Sequence, residues 1–341
     1  MVDVRQGARC MGSIDLNGGM LRAVRIALCI VATGAMAGCA SVEIPASQRP
    51  LSSETMMQLG RKGMRSDEPI FVRIFKEESE LEVWKQREDG RFYPFKTYPI
   101  CNWSGELGPK IRQGDRQAPE GFYRITRQQM NPNSQYHLAF NLGFPNTYDQ
   151  TQGRTGEFLM VHGQCKSAGC YAMTDALMEE IYALSREALA GGQDSFEVHA
   201  FPFRMTAENM ARYKNSENSK FWQTLKEGYD YFELTRKTPT IGVCERRYVI
   251  NPVWRDSRIS QVDPQGACPA YDKVKPDPFV PGKNDQVTEE RLTVSGPKLR
   301  AVASAGDGGS VSGLTNDNLS LRGILGGSAR PASALTFTPR N

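Results

Sequence analysis

Ile70, Val72 and Ile74 alternate with Phe71, Arg73 and Phe75. Leu81-Glu82-Val83-Trp84 follows, then Glu88-Asp89-Gly90 and the aromatic run Phe92, Tyr93, Phe95. Alternation interrupted by Asp-Gly predicts strands joined by a hairpin turn. Further short strands are predicted at Gly121 to Ile125, Tyr136 to Phe144, Phe158 to His162, Phe196 to Phe201 and Arg247 to Ile250, each apolar or alternating. The period then changes. Thr174 to Ala190 puts Leu177, Ile181, Leu184 and Ala188 on one helical face, with Thr174 and Asp175 to cap its start and Gly191-Gly192 to end it. Thr206 to Tyr213 and Lys220 to Glu233 are further helices, the second placing Trp222, Leu225 and Tyr229 in the core. The fold class expected is mainly β or α+β, a mixed sheet with helices packed on it.

The longest apolar run lies near the N-terminus, where Arg22 and Arg25 precede Ile26 to Ala35 and small residues lead to Cys39. That order is a secretory signal, too short for a confident membrane span. Met36-Ala37-Gly38-Cys39 resembles the bacterial lipobox, which implies lipidation of Cys39 as the mature N-terminus. With Ala40 in place of Asp, the resemblance implies an outer-membrane anchor facing the periplasm. Met20 is an alternative start, with residues 1–19 upstream of it. The expected organisation is a signal over 1–38, a polar tether over 39–66, a catalytic domain over 67–270 and a disordered tail over 271–341. From Asp272 onward there is no Trp, Tyr, Cys or His, too little to build a core.

Charge excludes one class of partner. The formal net charge is +4, and residues 1–38 hold four Arg against two Asp, so the remainder carries +2; nucleic acid is not expected as a partner. Of eight cysteines, Cys10 and Cys29 fall in the signal and Cys39 in the lipobox, which leaves Cys101, Cys165, Cys170, Cys244 and Cys268. Five is odd, so one thiol stays free in an oxidising compartment. Setting Cys170 aside leaves three pairings, among which the sequence does not choose; Cys101 with Cys165 and Cys244 with Cys268 is the preferred one.

Chemistry concentrates between Arg154 and Cys170. The strand ending at His162-Gly163 and a short return through Ser167-Ala168-Gly169 bring one imidazole and one thiol together. A thiol needs deprotonation to attack a carbonyl, and an imidazole titrating near neutrality can take the proton. The base also needs an orienting group on its other nitrogen; no Asp is close in sequence, so a backbone carbonyl is expected. Gly169 permits close backbone approach, and the amides of Gly169 and Cys170 are candidates for holding an oxyanion. The helix after Thr174 starts too late to assist the thiolate.

Pro119-Glu-Gly-Phe-Tyr123, His162-Gly163 and Ser167-Ala-Gly-Cys170, in that order, resemble the catalytic domain of the L,D-transpeptidase (YkuD-type) family over about residues 67 to 250. The runs from Cys101 to Lys110 and Phe201 to Thr206 look like the subgroup that hydrolyses cell-wall linkages. The resemblance implies Cys170 as nucleophile, His162 as base, and diaminopimelate-containing peptidoglycan stem peptides, or a wall-linked lipoprotein, as partners. It implies no cofactor. Two departures stand out: the signature has Ala168 before Gly-Cys and Ala172 two residues after the Cys where the family has His or Asn and Arg, and His162 and Cys170 are only eight residues apart, which shortens the loop between them.

The remaining site candidates are Ser167, Arg154 and Asn146 for substrate binding, Arg154 because a guanidinium matches carboxylates bidentately. His137 and His199 are assigned to strands with structural roles. His162, Cys165 and Cys170 lack a fourth ligand, so no metal is expected. Two further classes stand beside the transferase: a hydrolase using the same site, and a non-catalytic wall-binding lipoprotein.

Overall fold

The computed structural model describes residues 43–281. Its centre is a five-stranded mixed sheet of β1 (Ile70–Phe75), β2 (Glu80–Gln86), β3 (Phe92–Pro99), β5 (Gly121–Thr126) and β10 (Ser195–Phe201), ordered β3-β2-β1-β10-β5. β1 runs parallel to β10, and the other pairs are antiparallel. Every residue of β1 is buried, because both faces of the sheet are covered. Ile70, Val72 and Ile74 enter the main core with Phe196, Val198 and Ala200. On the opposite face Phe71 packs with Trp84 and Phe232, and Phe75 with Phe201 and Tyr229. Arg73 shares that second face, where its buried guanidinium pairs with Glu82 and Glu233 and lies over the Trp84 and Phe232 rings.

Each face has its own cover. Helix α3 (Asp175–Ala190), capped by Thr174, buries Met178, Ile181, Leu184 and Ala188 in the main core. The short α4 (Ala207–Arg212) follows β10. α5 (Ser219–Thr235) covers the other face with Phe221, Trp222, Leu225, Tyr229 and Phe232, so Trp222, Leu225 and Tyr229 are core residues as the spacing predicts. A second five-stranded sheet contains β4 (Asn102–Trp103), β6 (Met130–Asn131), β7 (Ala139–Asn141), β8 (Met160–His162) and β9 (Tyr171–Ala172). It is ordered β4-β9-β8-β7-β6 and joins the main core through Phe140, Val161 and Tyr171. β11 (Ile241–Cys244) and β12 (Arg247–Ile250) form a separate hairpin. The fold is α+β with mixed sheets.

Several boundaries differ from the sequence reading. The stretch expected as a tether holds α1 (Ser53–Arg61), whose N-cap Ser52 accepts from the Thr55 amide and whose Thr55, Gln58 and Leu59 are buried. Arg49 pairs with Glu179 of α3 at 3.0 Å, and Leu59 and Met64 sit in the core. A nine-residue helix with one apolar stripe and an internal Gly60 is a weak sequence signal; packing of its buried face against the body holds it. The expected tail also begins folded. β13 (Pro252–Trp254) pairs with β14 (Tyr271–Lys273), Phe279 packs edge-on against Tyr93, and Asp277 pairs with Arg91 and Lys237. The Tyr136 to Phe144 strand shrinks to β7, since His137 takes φ +68° in a turn. The signal, Cys39 and residues 282–341 lie outside the described residues.

Candidate active site

β8 and β9 lie parallel, with Val161 opposite Tyr171 and His162 opposite Ala172. Cys170 immediately precedes β9, so it falls on the same face as His162, two residues back along the pair, about 7 Å in strand rise. The parallel pairing is what the short return loop achieves. Within ten residues of Val161 the chain re-enters the sheet at Tyr171 running the same way, and a disulfide between Cys101 and Cys165 secures the turn. Cys244 and Cys268 form the second bridge, so the preferred pairing is the one present, and Cys170 is the free cysteine among the described residues.

His162 is 3% exposed. Its Nδ1 lies 2.6 Å from the Gly163 carbonyl; a carbonyl only accepts, so Nδ1 carries the proton and Nε2 is the basic nitrogen. This carbonyl takes the orienting role. Gly163 is confined: a Cβ there would meet Asp175 Oδ1 at 2.6 Å and the Tyr136 carbonyl at 3.1 Å. The Tyr136 ring lies against the imidazole, centroids 4.8 Å apart. Burial pushes the His162 pKa down, with the Gly163 bond opposing it.

The thiol sits in a backbone cradle. The Met160 amide donates to Cys170 Sγ at 3.5 Å, and Sγ–H donates to the Phe158 carbonyl at 3.6 Å. Burial pushes the Cys170 pKa up, opposed by the Met160 amide and by the charge of Lys110. At neutrality the resting pair is therefore thiol and neutral imidazole.

Ser167 shapes the loop. Its Oγ accepts from the amides of Gly169 (3.3 Å) and Cys170 (3.2 Å) and donates to the Cys170 carbonyl (2.7 Å). The two amides expected to hold an oxyanion are thus bonded to Ser167 Oγ, and the hydroxyl expected to bind substrate is engaged within the loop. Gly169 holds φ +123°, a conformation that suits glycine.

Arg154 and Asn146 do not join the site. Arg154 is 8% exposed, pairs with fully buried Asp149 at 2.7 Å and lies over the Tyr148 and Phe221 rings. Asn146 caps the short helix α2 (Thr147–Thr151), accepting from the Asp149 amide and donating to the Phe122 carbonyl and Tyr248 Oη. A guanidinium that leaves the surface must find a charge partner inside, and Asp149, five residues earlier, supplies it. His137 Nε2 binds Glu179 at 2.8 Å, and His199 lies buried against Phe71 and Phe122. Among the described residues no group of three or more His, Cys, Asp or Glu is arranged to hold a metal ion.

Sequence reading missed Tyr136, Phe158 and Lys110 beside the pair. Lys110 belongs to the loop between β4 and β5, tied to the site by Ser104 Oγ, which lies 3.2 Å from Ser167 Oγ and donates to the Arg116 carbonyl. Buried Lys76 anchors the same loop by donating to the carbonyls of Glu106, Gly108 and Ala118 and pairing with Glu120, which also accepts from Trp222 Nε1. Glu120 lies inside the Pro-Glu-Gly-Phe-Tyr motif, and through this carboxylate the motif fastens the loop that carries Lys110 and Ser104.

No family model matches the chain. It is 46% identical over 205 residues, 60% of this chain and 80% of the relative, to the protein named "Putative L,D-transpeptidase YafK" in Escherichia coli K12, and equally to its counterpart in E. coli O157:H7. Among solved structures, a point mutant of the helical cell shape determining protein Pgp2 from Campylobacter jejuni aligns with TM-score 0.34 and 22% identity, over 52% of this chain and 62% of that one. Bdellovibrio bacteriovorus Bd1075 aligns with TM-score 0.28 and 19% identity, over 55% and 65%. With its ordered motifs on a buried imidazole and a free thiol, and with that identity to YafK, the chain belongs to the L,D-transpeptidase family.

Proposed function

We propose that this chain is a cysteine acyltransferase acting on diaminopimelate-containing stem peptides of peptidoglycan. The observation that supports this reading is the pairing of an imidazole whose Nδ1 is locked on the Gly163 carbonyl with a free thiol on the adjacent parallel strand. His162 Nε2 takes the thiol proton as Sγ attacks the amide carbonyl. The tetrahedral intermediate collapses as His162 returns the proton to the departing amine, which leaves a Cys170 thioester. An amine or water then adds to the thioester and expels the thiol. Water is favoured as acceptor: Ala168 and Ala172 stand where the family places side chains able to hold an incoming amine, whose free pKa is well above neutrality. A wall-linked lipoprotein is then a substrate of the same chemistry.

The cellular setting belongs to the same proposal. Cys39 is lipidated and the domain works in the periplasm, anchored to the outer membrane. Two disulfides suit export, and among the described residues no helix is long and apolar enough to cross a membrane.

Incubation with muropeptides, with and without an amine acceptor, separates the acceptors by product mass. Free acid is expected to outpace crosslinked dimer. A carbapenem is expected to add its mass to the wild type and not to Cys170→Ala. An adduct that persists in that variant overturns the nucleophile, and no turnover of any muropeptide moves the reading to a wall-binding protein.

A further inference from the structure

Phe158 is in an unusual position. It is 64% exposed, and its φ of +57° lies in a region that bulky L residues avoid. Its ring makes no aromatic or cation contact among the described residues, while the next residue, Leu159, is buried in the main core. The exposed ring adds little to the packed interior. Backbone strain of this kind is retained where the surroundings impose it, and it gathers at sites that bind or react. The surroundings here are specific. The Phe158 carbonyl accepts the Cys170 Sγ–H and the Met160 amide donates to the same sulfur, so the conformation that exposes the ring also aims the carbonyl at the nucleophile.

The order of groups gives the cleft a direction. Met160 and His162 lie along β8 and Phe158 precedes it, and Sγ is hydrogen-bonded to the Phe158 carbonyl and the Met160 amide, on the side of the strand's start. The departing amine must reach His162 Nε2 to take its proton, so the carbonyl's other substituent, the acyl portion, extends from the sulfur away from His162. Phe158, whose carbonyl touches the sulfur, lies on that side. Tyr136, 44% exposed and packed on His162, stands at the opposite end, on the side of the leaving amine.

We propose that Phe158 is the binding platform for the acyl-donor portion of the substrate, its ring packing on the aliphatic side chain of the stem-peptide residue that becomes bonded to Cys170. The inference rests on Cys170 being the nucleophile, and its test is built so that the two can fail separately. Binding of a diaminopimelate-containing muropeptide is measured on the full chain carrying Cys170→Ala, where no turnover intervenes, and again with Phe158→Ala added. Loss of the ring is expected to weaken Kd by about ten-fold, as an aromatic contact of ordinary strength would, while Phe158→Tyr restores it. The Tm of Phe158→Ala should hold, because the ring is exposed and alanine keeps the Cβ that sets the backbone cost at that φ. Alkylation of Cys170 by iodoacetamide in the otherwise native Phe158→Ala chain should stay within about two-fold of wild type, since the carbonyl remains. An unchanged Kd overturns the proposal, and so does a fall in Tm that accompanies weaker binding. Absence of a carbapenem adduct on Cys170 would instead refute the nucleophile, and with it the acyl-donor role given to the ring.

Discussion

Burial moves the two reacting groups apart in pKa, and the direction decides how they work. The thiol is raised above its ordinary 9.0 and the imidazole lowered below 6.5, and both directions favour a resting pair of thiol and neutral imidazole over an ion pair. In the proposed mechanism His162 acts as a general base during attack. Protonation of His162 disables that base, and since its pKa is depressed, the acid limb of kcat/KM should lie below the ordinary 6.5. Alkylation of Cys170 by iodoacetamide should keep climbing beyond the ordinary thiol value of 9.0. A plateau already reached near neutrality would instead reveal a thiolate stabilised by the imidazolium. Arg154 carries a different lesson at this scale: a guanidinium just upstream of the catalytic strand reads as a carboxylate binder, but its spacing from Asp149 matters more than its distance from Cys170.

At the scale of elements, the loop from Gly163 to Cys170 is the critical piece. It carries both the carbonyl that holds the His162 ring and the free Cys170 thiol, and it turns through left-handed Gln164 and Cys165 at φ +65° and +52°. Among its ties are the Cys165 amide on the Met173 carbonyl, the Gln164 amide on Asp175 Oδ1, the Cys101 amide on the neighbouring Ala172 carbonyl and the disulfide between Cys101 and Cys165. The bridge closes a sequence separation of 64 residues, for which chain entropy gives about 4 kcal/mol. Replacing both cysteines by serine should cost about that much in denaturant unfolding and should slow carbapenem acylation of Cys170. If stability falls while acylation keeps its rate, the bridge braces the domain and leaves the site untouched. The hydroxyl of Ser167 completes the loop from within, which gives a structural reason for the Ser or Thr that the family signature places three residues before the cysteine.

For the whole molecule, both ends of the described chain dock on the catalytic body. The N-terminal segment uses Arg49 on Glu179 and Arg186 on the carbonyls of Ser47 and Arg49. The C-terminal segment uses β14, the Asp277 bridges and Phe279 on Tyr93. A chain ending at residue 271 should therefore melt lower than one ending at 281, by about 3 °C for each kcal/mol of lost contact. Equal melting temperatures would show that these contacts contribute nothing to stability. Simple composition missed the docking because a short strand pairing, a few ion pairs and one aromatic hold the segment, and counting absent residue types does not register them.

The sequence by itself determined the elements whose pattern is local and strong. β1, the Asp-Gly hairpin, β10 and the two long helices were legible because burial on one or two faces imposes a period of two or 3.6. So was the placement of His162 and Cys170 on neighbouring segments, because only a short loop separates them, and so was an odd cysteine count that pointed to a free thiol. Tertiary structure alone decided what depends on partners distant in the chain. It buried Arg154 with Asp149 beneath the Phe221 ring, docked the segment before α1 on α3, paired Cys101 with Cys165, turned the Phe158 carbonyl to the sulfur and set Lys76 against Glu120. These are contacts between segments whose own periodicity is short or absent, so the free energy that selects them lies in the packed interior and leaves no repeating mark on the chain.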